Sequence, residues 1–166
     1  MKLKLFNKYF FTTATIILMT FFIMVLILSF VLNNYIARSK ESTLQIACDR
    51  VCEYVDSQLE ENEKVPQKDF YTILNSIATV AQADVFVANN RGKVIACGCE
   101  EWQKNGNCSH SAVLIHKDEV ELYLNQSDKL RLSTLNIYEN PHYVTAKPLI
   151  QEGGGRYGTV FATAPV

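Results

Sequence analysis

Three cysteines and one histidine fall within fourteen residues, as Cys97-Gly98-Cys99 and Cys108-Ser109-His110. Thiolate sulfur and imidazole nitrogen are the donors that zinc takes four at a time, so this Cys₃His set fits a structural zinc centre. Its C-x-C spacing is tighter than the usual C-x₂₋₄-C. The same sulfurs also fit a disulfide. Joining Cys97 or Cys99 to Cys108 closes a loop of about ten residues, worth about 2–3 kcal/mol in the chain-entropy model. A Cys97–Cys99 bridge would strain the dihedral geometry. Free thiols are the third reading, and the redox compartment decides among the three.

The remaining chemistry is thinner. Cys48 and Cys52, spaced i,i+4 on a helical stretch, read as small apolar core residues or as an inter-subunit bridge. His116 and His142 sit at an element boundary and in a loop, where a solvated role is the simpler one. Trp102, in the polar stretch EEWQKNGN, reads as a core cap or a partner contact. No catalytic dyad, nucleophile elbow, phosphate loop or working carboxylate pair occurs in the sequence. A net charge of −1 and a pI near 6.3 give no electrostatic footprint for nucleic acid.

The compartment follows from the N-terminal third. No charged residue occurs from Tyr9 to Ala37, and Phe10 to Leu32 reads FFTTATIILMTFFIMVLILSFVL. As a helix that run extends about 35 Å, enough to cross a hydrocarbon core of about 30 Å. It exceeds the 7–15-residue core of a cleaved signal peptide, and NNYIARSK offers no A-x-A site. Residues 10–32 are therefore read as a transmembrane helix. Lys2, Lys4 and Lys8 precede it, so the positive-inside rule puts residues 1–9 in the cytoplasm and the main domain outside, anchored in the cell membrane.

Beyond the membrane, Leu44, Cys48, Val51, Val55 and Leu59 recur at spacings of three and four, with Cys52 beside them. They form one stripe of a juxtamembrane helix over residues 33–65. That stripe can pack on its own domain, on a second copy as a homodimer interface, or on both. Pro66 suits the start of a second helix running to about Val80. Period-two patterning then gives strands at Val85–Val87 and Lys93–Ala96 about the turn NNRG. A short helix over His116–Asn125 follows, then strands over Lys129–Leu135, Tyr143–Ile150 and Tyr157–Ala164. The last two are joined by the glycine turn QEGGGR. The expected fold is α+β: one five-stranded antiparallel sheet over residues 66–166 with helices on one face.

The ordered set of a membrane helix, a long helix, the "VFVANNRGKVI" hairpin and the closing "YVTAKPLIQEGGGRYGTVFATAP" resembles the extracytoplasmic PAS-like, single-Cache sensor region of bacterial sensor histidine kinases, notably of Gram-positive anaerobes. The resemblance covers nearly the whole chain. It implies sensing of a small-molecule or ion stimulus, with a second membrane helix, a HAMP linker and a kinase following Val166 and acting on a response regulator. This chain would itself be no enzyme. By the same resemblance a ligand pocket would draw on Arg131, Tyr143 and Lys147, cations that suit a carboxylate, with Tyr138 as an aromatic wall. The module also fronts chemoreceptors and cyclic-dinucleotide enzymes. A single-pass binding or scaffold protein is the rival of another class.

Overall fold

The computed structural model describes residues 2–62, 67–125, 129–150 and 154–166. Pro66, the side chain of Leu59 and residues 151–153 of the glycine turn lie outside the described residues. The chain divides into two compact units, Met1–Ser39 and Lys40–Val166.

In the first unit the helix α1, which runs over Lys2–Asn62, carries the uncharged run Tyr9–Ala37, whose large apolar side chains from Tyr9 to Leu32 are exposed on all sides. Thr13, Thr15 and Thr20 return their hydroxyls to the carbonyls of Tyr9, Phe11 and Ile17 at 2.8–2.9 Å. These three hydroxyls are thus satisfied inside their own helix, as polar groups facing lipid would need to be. Among the described residues α1 is the one helix long and apolar enough to cross a membrane.

In the second unit, the 40–62 part of α1 and α2 (Gln67–Ala81) precede the strands β1 (Asp84–Ala88) and β2 (Val94–Cys97). Next come α3 (Glu100–Asn105), a 3₁₀ turn (Ser109–Ala112) and α4 (Lys117–Asn125). The strands β3 (Arg131–Ser133), β4 (His142–Ile150) and β5 (Arg156–Pro165) close the chain. All five strands form one antiparallel sheet in the order β2-β1-β5-β4-β3. The fold is α+β, with a long N-terminal helix ahead of the sheet.

The sheet is covered on both faces, not one. Val85, Val87 and Val160 meet Leu44, Cys48 and Val51 of α1 and Leu74 of α2. On the opposite face Phe86, Val144 and Phe161 meet Trp102, Ile115, Val120 and Tyr123. The strand β1, an inner strand of the sheet, signals this itself. DVFVA has no polar residue on either alternation after Asp84, and a run apolar on both phases needs cover on both sides. The second layer comes largely from the segment between Gly98 and Asn125, where α3 and the 3₁₀ turn occupy a polar stretch that shows no helical periodicity. The strand expected over Lys129–Leu135 holds only three residues, because Leu135 and Asn136 turn the chain at φ 48° and 60°.

The NNRG turn forms as expected. Asn89 Oδ1 accepts from the amides of Arg91 and Lys93 at 2.9 and 3.0 Å, and Gly92 lies at φ 79°. Gly92 also receives the second layer, since its carbonyl accepts the Ile115 amide at 3.0 Å. A Cβ there would lie 2.0 Å from the Ile115 carbonyl oxygen. Gly92→Ala is expected to lose about 2–4 kcal/mol, combining left-handed strain with backbone displacement. Chemical denaturation of the full chain checks this; a loss under about 1 kcal/mol would contradict the contact.

Candidate metal centre

The CxC motif is placed by a close approach. Gly98 donates its amide to the Val85 carbonyl at 2.8 Å and accepts from Asn75 Nδ2 of α2 at 2.9 Å. A Cβ on Gly98 would lie 2.6 Å from the Leu74 carbonyl oxygen, so the middle residue of the motif must lack a side chain for α2 to pack here. Cys97 ends β2 and Cys99 caps α3. Gly106, at φ 69°, closes α3 and returns the chain toward the sheet. Ser111 then locks the second half of the set, its hydroxyl donating to the Cys108 carbonyl at 2.8 Å and accepting from the Cys108 amide at 3.1 Å.

The result brings the thiols of Cys97, Cys99 and Cys108 and the imidazole of His110 within 4.8 Å of one another. Cys97 Sγ lies 3.4 Å and Cys108 Sγ 3.6 Å from His110 Nδ1. The three cysteines are free thiols. Cys97, Cys108 and His110 are buried and Cys99 is partly exposed. An open cleft of about 1020 Å³ borders Cys108 and Trp102. This cluster can hold a metal ion.

Three contacts that the sequence did not reveal hold the imidazole. Its ring stacks on Phe86 at 5.6 Å and 16°, and meets the edge of Tyr138 at 5.7 Å. Its Nε2 lies 3.5 Å from Asp84 Oδ2. Tyr138 donates to the same carboxylate oxygen at 3.0 Å and is bonded to Thr163 Oγ1 at 2.6 Å. A carboxylate beside Nε2 favours the tautomer that keeps its proton there, which leaves the Nδ1 lone pair facing the sulfurs.

The electrostatics follow from burial and this partner. The His110 and Tyr138 contacts hold the Asp84 carboxyl below the usual range against the opposing effect of burial. Burial lowers the His110 pKa, but Asp84 outweighs it and the net shift is upward. Burial pushes the thiols of Cys97 and Cys108 up. At Cys99 burial also pushes upward, yet bonds from the Trp102 amide and from Cys97, Cys108 and His110 bring it below an ordinary thiol. Cys99 is thus the sulfur most ready to ionise.

The other candidates separate. The stripe Leu44, Cys48, Val51 and Val55 lies 0–3% exposed against the chain's own sheet, with Cys52 partly buried beside it. In this packing those side chains are part of the chain's own core. Cys48 and Cys52 face the carbonyls of Val160 and Pro148 at 4.0 Å. Burial raises both thiols, that of Cys52 to about 11, so neither resembles a reactive cysteine.

Arg131, Tyr138, Tyr143 and Lys147 do not converge on one pocket. Lys147 pairs with Asp49 of α1, and Tyr143 packs with the α1 layer. Tyr138 belongs to the His110 cluster across the sheet, and Arg131 lies near Tyr123 on that side. His116 is exposed, while His142 stacks on Tyr138 at 3.9 Å. Trp102 caps the second layer beside Tyr71.

No protein-family profile matches the chain, and no curated protein does. In structure it is similar to the sensor domain of the histidine kinase DctB from V. cholerae, with TM-score 0.43 and 14% identity over 72% of this chain. This chain spans 45% of that one. It is also similar to the cofactor-binding GAF domain of the nutrient sensor CodY from Clostridium difficile, with TM-score 0.37 and 17% identity, covering 69% of this chain and 80% of that one.

Proposed function

We propose that the chain is the membrane-anchored sensor part of a bacterial receptor, with residues 40–166 outside the cytoplasm as a PAS-like sensing domain. Its output would be a two-component histidine kinase acting on a response regulator. The observation that carries this reading is the composition of α1. The one helix Lys2–Asn62 contains both the uncharged apolar run and the Leu44–Val55 stripe that forms a layer of the sensing domain's core. A change in how that stripe packs on the sheet alters the same hydrogen-bonded helix that enters the lipid. A stimulus that favours one packing thereby shifts a population on the membrane side.

Topology tests it. A reporter active only outside the cytoplasm, fused after Val166, is expected to be active, and one that fluoresces only in the cytoplasm is expected to stay dark. The reverse pattern would overturn the reading.

A further inference from the structure

We propose that Cys97, Cys99, Cys108 and His110 bind one zinc(II) ion through three sulfurs and Nδ1, with Asp84 as the residue that positions the imidazole. This holds or fails independently of the receptor reading.

The geometry points to zinc. Tetrahedral zinc, with bonds of about 2.3 Å to sulfur and about 2.0–2.1 Å to nitrogen, requires sulfur–nitrogen edges of about 3.6 Å and sulfur–sulfur edges of about 3.8 Å. The two sulfur–nitrogen distances observed are 3.4 and 3.6 Å, and every donor pair lies within 4.8 Å. A disulfide needs its sulfurs at about 2.05 Å, and a histidine nitrogen lodged against two of them has no part in one. The outer contact agrees. Metal-bound histidine ordinarily gives its other nitrogen to a carboxylate or carbonyl, and Asp84 occupies that place at 3.5 Å.

Three thiolates with one imidazole exclude the oxygen-seeking cations, and the nitrogen donor favours zinc over copper(I). With four protein donors the site is closed, so its work is to hold structure. The donors come from the end of β2, the start of α3 and the 3₁₀ turn. The ion would therefore fasten residues 98–112 to the sheet edge.

Full-length chain in detergent, purified anaerobically with a non-chelating reductant, should be titrated with cobalt(II). Expected are one ion per chain, the visible bands of tetrahedral cobalt, sulfur-to-cobalt charge transfer, and displacement by equimolar zinc. Zinc should also protect Cys97, Cys99 and Cys108 from alkylation and Lys104 from tryptic cleavage, and a chelator should restore both reactions. Cys99→Ser, at the least buried of the four, should keep the circular dichroism of the fold while losing the three-thiolate charge-transfer intensity. Asp84→Asn should keep the tetrahedral spectrum and weaken zinc about 10–100-fold.

Weak octahedral cobalt, no uptake by reduced protein, or a disulfide among these cysteines after anaerobic purification would each overturn the site. Unchanged affinity in Asp84→Asn would overturn the role given to Asp84.

Discussion

Phe86→Ala is expected to destabilise the domain by about 3–5 kcal/mol, a fall in Tm of about 10–20 °C for a domain of this size. Phe86 is fully buried in the middle of β1, opposite Cys97 of β2 and Phe161 of β5. It stacks on Phe161 at 5.5 Å and 16°, and its ring also lies under His110. Truncation removes the transfer free energy of a phenyl ring and leaves a cavity that paired strands on both sides keep from collapsing. The aromatic pair adds about 0.5–1.5 kcal/mol. Phe86→Leu retains most of the volume and should lose less than half as much. Thermal and denaturant unfolding of the full chain in detergent measure both. A loss below about 1.5 kcal/mol for the alanine variant would mean that the second layer is not packed on this face.

Val51→Asp is expected to lose about 3–5 kcal/mol, because an unpaired carboxylate would be buried between α1 and the sheet. Val51 is 0% exposed against the chain's own strands. Ile46, on the same helix but 55% exposed, supplies the control, and Ile46→Asp should change stability by no more than about 0.5 kcal/mol. The pair separates two readings of the stripe. Were Val51 at a subunit interface, its aspartate variant would keep the monomer's unfolding transition and change only association. Since the side chain belongs to the monomer's core, the unfolding transition itself should move. Denaturation at two protein concentrations, alongside light scattering, distinguishes the outcomes.

Much of the site was legible in the chain itself. Soft donors at Cys97, Cys99, Cys108 and His110 stand out by residue type and spacing, and Gly98 between two of them turned out to be required by the passage of α2. Asp84, Phe86 and Tyr138 were not legible as partners of His110. A carboxylate ahead of an apolar strand reads as an ordinary strand end, and Tyr138 lies 54 residues from Asp84 in the chain. Of the residues inferred to line a ligand pocket, Tyr143 and Lys147 both lie on the α1 side of β4, while Arg131, in register with Val144, lies on the other face. Their one-dimensional proximity carries no information about which layer covers which face.

Charge-free length, helical and strand periodicity and turn chemistry are local properties. They determined the apolar rod, the stripe on α1, the NNRG turn and the order of the longer helices and the five strands, but not α3 or the 3₁₀ turn. Which surface the stripe would meet was open until the strands were paired, because an apolar face buries equally well on its own sheet or on another chain. The sheet's second layer and the carboxylate behind His110 were likewise decided by the tertiary structure. Both depend on contacts between residues far apart in the chain, whose register is set by packing and not by any residue's neighbours.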